Sequence, residues 1–188
     1  QTPYILTGPV YRSAKGTGVL LTNAPPGQYV VTFGEVPYYI TPPAQTNQLA
    51  SGATVVFHGN YTFADANSNG ISDAWEQTFF GSVSTNHTRF TDSDHDGASD
   101  YAEFIAGTDP TLASSRFRLN TVALPGNGTV RMTWSSVPGH AYRIYGSSNL
   151  VNWVPMSDWI QATLSSTSFT LTTPTNGAAN LFRVEVRP

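Results

Sequence analysis

Residues 92–103 read D-S-D-H-D-G-A-S-D-Y-A-E (Asp92–Glu103), and residues 65–76 read D-A-N-S-N-G-I-S-D-A-W-E (Asp65–Glu76). The two stretches match position by position, with side-chain oxygens at one, three, five, nine and twelve and Gly at six. Each runs into residues with helix-compatible apolar spacing, Asp73 to Phe80 and Ser99 to Ala106. Gly81 and Gly107 stand where a helix C-terminus is expected, and Pro110 follows shortly after. The spacing predicts two short helices of about two turns each, each preceded by a tight acidic loop.

The loop pattern has a physical reason. Calcium is a hard cation that takes six to eight oxygens at about 2.3–2.6 Å, so a tight loop must turn alternate side chains inward and close with a bidentate carboxylate. This is the twelve-residue calcium loop of the EF-hand. In the first loop Asp65, Asn67 and Asn69 would supply the opening ligands, the carbonyl of Ile71 the seventh position, Asp73 the ninth, directly or through water, and Glu76 the closing carboxylate. In the second, Asp92, Asp94, Asp96, the carbonyl of Ala98, Asp100 and Glu103 play the same parts. Gly70 and Gly97 permit the sharp turn. A single copy could be a turn-rich surface loop, but two complete tandem copies, each leading into a helix, argue for two calcium sites. The first loop carries Asn at two positions and should bind more weakly.

Outward from this segment the grammar is that of strands. In Gly27–Glu35, Tyr29, Val31 and Phe33 alternate with Val30 and Thr32 after a turn at Pro25, Pro26 and Gly27. Beyond Pro42 and Pro43, Ala53 to Phe63 alternates again, with Val55 and Phe57 on one face. On the C-terminal side Val130, Met132 and Trp134, then Tyr142 and Ile144, Phe169 and Leu171, and finally Phe182, Val184 and Val186 repeat the period of two. The fold class expected is mainly β: two small antiparallel β-sandwich modules, residues 1–63 and 113–188, joined by a helical calcium-loop segment at 64–112.

Charge follows the same division. The 188 residues contain only 11% charged side chains, against about 25% in an average domain, and a formal net charge of -3. Nine of the twelve acids fall between Asp65 and Asp109 beside one base, Arg89, a local net of −8; the remainder carries +5. Eight Arg and one Lys give no basic arm for nucleic acid. No apolar run approaches the roughly 20 residues of a membrane span. The chain has no Cys, which excludes disulfides and thiolate metal sites. Gln1 in place of Met is expected to follow a removed secretion leader. No G-x-S-x-G, H-E-x-x-H or phosphate loop occurs, and His58, His87, His95 and His140 lack ligand spacing. The clustered carboxylates are better explained as metal ligands than as a glycosidase pair, so no catalytic residues are expected.

Several motifs carry a resemblance. The run from Asp92 through E-F-I-A-G-T-D-P, then F-R-L, M-T-W-S-S-V-P-G-H-A-Y-R-I-Y-G-S-S-N-L-V-N-W and a terminal L-F-R-V-E-V resembles a C-terminal region of large secreted proteins of Verrucomicrobia-like and Planctomycetes-like bacteria. The part from Phe117 onward looks like a fibronectin type III-like sandwich with Trp134 and Tyr142 as core aromatics. L-L-T-N-A-P-P-G-Q-Y-V-V-T-F-G-E-V-P resembles the small sandwiches of the PEGA or carboxypeptidase-regulatory type. No entering helix precedes the first loop, and its apolar residue is Ile71 at position seven instead of eight. The loops therefore look like those of dockerins and thrombospondin type 3 segments. Positions ten and eleven are Ala74 and Trp75, then Tyr101 and Ala102, in place of a dockerin's small hydroxyls, so cohesin binding is not implied.

The resemblance implies a non-catalytic, calcium-binding structural protein, secreted or at a bacterial cell surface, whose ions rigidify the segment between modules. A filament or assembly subunit could join its neighbours through a terminal strand such as Gln1–Thr7; that strand could equally pair within its own module. The alternative is a carbohydrate-binding accessory module of a secreted polysaccharide-degrading enzyme, with Trp159, Trp153 and Tyr145, and also Tyr101, as a sugar-stacking platform. Trp134, Trp153 and Tyr142 are expected in the core, which leaves Trp159 beside Asp158 as the best exposed aromatic.

Overall fold

The structure is a computed structural model that describes residues 3–15, 20–126, 128–172 and 181–188. It is mainly β, with antiparallel sheets and, among the described residues, two short helices. The chain divides into two compact units, Gln1–Ser68 with Ser72–Val83, and Asn69–Ile71 with Ser84–Pro188.

The first unit holds one four-stranded sheet in the order β2-β1-β3-β4. Its strands are β1 (Pro3–Thr7), β2 (Arg12–Lys15), β3 (Gly27–Phe33) and β4 (Gln45–Leu49). The alternation read in β3 is realised: Tyr29 and Val31 are buried with Leu6 and Leu49, and Phe33 packs on them. Strand β1 pairs with β2 on one edge and β3 on the other. Pro3–Thr7 therefore offers no free edge to a neighbouring chain; Gln1 and Thr2, the rest of the expected donor strand, lie outside the described residues.

The expected strand at Ala53 to Phe63 takes a different form. Val55 and Phe57 do pack on the core, but the backbone at 53–60 joins no ladder. Side chains stand in for one. The Gln45 amide donates to the His58 carbonyl and accepts from the His58 N–H, and Asn47 reaches the Val56 carbonyl at 3.5 Å. Polar side chains on β4 thus satisfy groups that a strand partner would otherwise take. The apolar face of this sheet is covered by segments such as Val10, Leu21, Ala24, Val55 and Phe57, where the sequence suggested a second sheet.

Helix α1 (Asp73–Phe80) belongs to the first unit. It buries Trp75, whose ring lies 4.9 Å from that of Phe79, and Phe79 meets Tyr38 at 6.3 Å. Helix α2 (Asp100–Ala106) belongs to the second and buries Phe104 and Ala106. Both helices end on glycines in the left-handed conformation, Gly81 and Gly107, as the sequence predicted.

The second unit continues into two sheets that face each other across one core. One has the order β10-β6-β5, from β5 (Leu119–Gly126), β6 (Thr129–Ser135) and β10 (Ser166–Thr172). The other is β11-β7-β8, from β7 (Ala141–Ser147), β8 (Val154–Pro155) and β11 (Leu181–Arg187), with β9 (Ile160–Gln161) also paired to β7. Val130, Met132 and Trp134 of β6 meet Tyr142 and Ile144 of β7. Trp134 is fully buried, its ring 5.8 Å from that of Tyr142. Removing a tryptophan so placed costs about 3–5 kcal/mol. The Tyr142 hydroxyl accepts from the Val137 N–H at 2.8 Å, so this core aromatic also holds the turn before its own strand. Trp153, expected in the core, is only half-buried and stands outside it.

Candidate metal centre

The two acidic loops wind alike. Position four is left-handed in both (Ser68 φ 59°, His95 φ 61°), as is the glycine at six (Gly70 φ 83°, Gly97 φ 95°). Position five accepts from the N–H of position seven at 2.7 Å in each, Asn69 from Ile71 and Asp96 from Ala98. The N–H of position nine returns to the carbonyl just before the loop, Asp73 to Ala64 at 2.8 Å and Asp100 to Thr91 at 2.7 Å. Position twelve, Glu76 or Glu103, is buried in the first turn of its helix.

In the second loop Asp92, Asp94 and Asp96 each turn an oxygen inward, and these lie within 4.8 Å of one another. Such a group suits a cation and is costly without one, since three like charges in one turn repel. Asp94 Oδ2, Asp96 Oδ2 and Glu103 Oε2 are buried and make no hydrogen bond. Buried carboxylate oxygens are almost always paired, so three orphans around one loop fit a divalent ion bound through oxygen. Burial, with the charges of Asp94, Asp96 and Asp100 adding to it and the hydrogen bond from the Thr108 hydroxyl opposing it, pushes the Glu103 carboxyl up to about 7. A calcium ion held by Asp92, Asp94, Asp96 and Glu103 would reverse that repulsion.

Asp100, at position nine, does different work. Its fully buried carboxylate accepts from the Ser93 N–H at 3.0 Å and the Ser93 hydroxyl at 2.9 Å, and His87 Nδ1 lies 3.2 Å away. Asp73 repeats part of this, accepting from the Ala66 N–H at 2.9 Å. In both loops the ninth residue ties down the second, and Asp100 is not among the three carboxylates whose oxygens converge. Ser93, His87 and Thr108 form the outer support of the site. None carries a sequence signal beyond proximity, because the bonds to Asp100 and Glu103 exist only once the loop has closed.

The first loop is arranged less favourably for a cation. Asn67 turns its amide nitrogen toward both oxygens of Glu76, at 3.1 Å each. A bound ion would need the amide oxygen of Asn67 instead. The Asn69 amide donates to the His87 carbonyl at 2.8 Å. Within the second unit His87 thus meets Asn69 through its backbone and Asp100 through its ring.

The expected stacking residues lie elsewhere in the second unit, and guanidinium groups cover them. Arg143 and Arg183 sit over Tyr145, Arg183 over Trp153, and Arg143 and Arg187 over Trp159. Tyr101, on α2, is stacked by Arg89 at 4.0 Å.

Residues 92–113 match the family model of the bacterial TSP3 repeat. The match begins on Asp92 and takes in the whole second loop and α2; TSP3 repeats are thrombospondin type 3-like and bind calcium. No curated protein and no solved structure matches the chain. No helix among the described residues is long and apolar enough to cross a membrane.

Proposed function

We propose that the chain is a non-catalytic, calcium-stiffened structural part of a protein exposed outside a bacterial cell, in a cell-surface or filament assembly. The observation that carries this reading is the convergence of Asp92, Asp94 and Asp96 with buried, unpartnered oxygens on Asp94, Asp96 and Glu103. The TSP3 match over the same residues supports it. The ion neutralises the loop and fixes it to the first turn of α2, so a segment rich in like charge becomes stiff. A second, weaker site at Asp65, Asn67, Asn69, Ile71, Asp73 and Glu76 belongs to the proposal on ligand spacing. The modular reading, with fibronectin type III-like strands after residue 113, belongs to it as well. Assembly through Pro3–Thr7 gains no support, because both its edges are taken.

Calorimetry with calcium, and melting with and without chelator, test this. A ligand that binds only the folded state stabilises it by about 2.7 kcal/mol at a hundredfold excess over Kd, so chelation should lower Tm by several degrees. Asp94→Ala should abolish most of that difference, and protease should cut 84–112 faster in chelator than in calcium. An unchanged Tm and unchanged cleavage would overturn the proposal. A filament role predicts polymers by electron microscopy in calcium; a chain that stays strictly monomeric at high concentration speaks against it.

A further inference from the structure

Six side chains on the sheet built from β11, β7 and β8 alternate ring and cation in one row. From one end they are Trp153, Arg183, Tyr145, Arg143, Trp159 and Arg187, with guanidinium-to-centroid distances of 4.8, 4.9, 5.7, 5.7 and 3.8 Å along the row. The strand register explains the spacing. Tyr145 lies directly opposite Arg183, and Arg143 opposite Glu185. Side chains at every second position share a face, so Arg183, Glu185 and Arg187 all project with Arg143 and Tyr145.

The row is held before any ligand arrives. The Trp153 indole N–H donates to the Leu150 carbonyl at 3.1 Å, and Arg143 Nε donates to the Ser157 carbonyl at 3.0 Å. Ser147 and Asn149 side chains accept four backbone N–H groups between Asn149 and Asn152, which winds the turn that presents Trp153. Preorganised groups lose little freedom on binding.

We propose that this face binds an acidic polysaccharide, a chain bearing carboxylate or sulfate groups along sugar rings. A platform for neutral sugars needs open aromatic faces, and here guanidiniums lie over Tyr145, Trp153 and Trp159. A guanidinium stacked on a ring still aims its N–H edge outward, in a fork that matches carboxylate or sulfate oxygens. Arg183 makes no ion pair among the described residues, and Arg187 has only a 3.9 Å contact with Glu185 between half-exposed side chains. Water screens a contact of that kind, so both cations stay available. Rings alternating with cations across one sheet face complement a polymer that alternates apolar ring faces with anions. The charge balance agrees: residues 113–188 hold six Arg against Asp158 and Glu185. The site stands independently of the calcium loops.

Biolayer interferometry on immobilised hyaluronate, dextran sulfate and dextran, with calcium-saturated protein in about 0.15 M salt, tests this. Hyaluronate, dextran sulfate or both should bind, which also identifies the anion, and dextran should not. Arg183→Gln with Arg187→Gln should weaken binding at least about tenfold, a loss of about 1.4 kcal/mol. Arg118→Gln with Arg131→Gln, the same charge change outside this row, should stay within about twofold. Arg183→Gln alone gives an intermediate loss, and melting curves confirm that each variant is folded. Absence of binding to both acidic polymers, equal binding to dextran, or equal loss in the two double variants would overturn the proposal.

Discussion

Gly81 and Gly107 occupy the same station at the ends of α1 and α2, with φ of 75° and 72°, yet their surroundings differ. A Cβ on Gly81 would meet nothing within 4 Å, whereas one on Gly107 would fall 2.6 Å from the His140 ring. Gly81→Ala should therefore cost only the left-handed strain, about 1 kcal/mol. Gly107→Ala adds a clash and should cost roughly 2–3 kcal/mol, measured by chemical denaturation in calcium; equal costs would show that the ring moves aside freely. Both glycines are legible in the sequence as helix stops. The imidazole that makes one of them sterically necessary is not, because His140 lies 33 positions away in the chain and reaches Gly107 only after the second unit has folded.

Among the elements, the loop-helix units were the most legible. Helix α1 covers the residues its spacing predicts, and α2 starts one residue after Ser99, whose hydroxyl accepts from the Ala102 N–H at 3.3 Å. The ligand pattern also located the converging Asp92, Asp94 and Asp96. At position nine the spacing points to a ligand, direct or through water, whereas the Asp100 carboxylate ties its own loop by accepting from the Ser93 N–H and hydroxyl beside the His87 ring. Asp100→Ala should then destabilise the protein in chelator by roughly 3 kcal/mol, because the Ser93 N–H and hydroxyl and the His87 ring lose their buried acceptor. If Asp100 served only as a calcium ligand, the variant would match the native protein in chelator and differ only in calcium. At 53–60 the alternation predicted which side chains face the core but not the missing ladder, since Gln45 and Asn47 bind that backbone from across the fold.

For the molecule as a whole, the average charge conceals a division: −8 between Asp65 and Asp109, +5 elsewhere. Acid affects the two parts through different groups. In the second unit burial pushes the His140 imidazole down from 6.5 to about 4. The unfolded chain then binds the proton more readily than the folded one, so stability is complete above about 6.5 and is lost as pH falls toward 4. The loss is at most about 3 kcal/mol. Melting at constant saturating calcium should show a shallower decline over this window in His140→Gln than in the native protein, and identical slopes would refute the assignment. The sequence by itself established the mainly β class, the two helices with their glycine stops, and the carboxylates that converge. These follow from local periodicity and from the fixed geometry of calcium coordination, both written in consecutive residues. Only tertiary folding set the interior position of β1, the four-stranded sheet of the first unit in place of a described sandwich, the support of the loop by Ser93, His87 and Thr108, and the stacking of Arg143, Arg183 and Arg187 on the aromatics. Each of these joins residues far apart in the chain or turns a side chain toward one of several competing partners, and that choice depends on which surfaces are buried together.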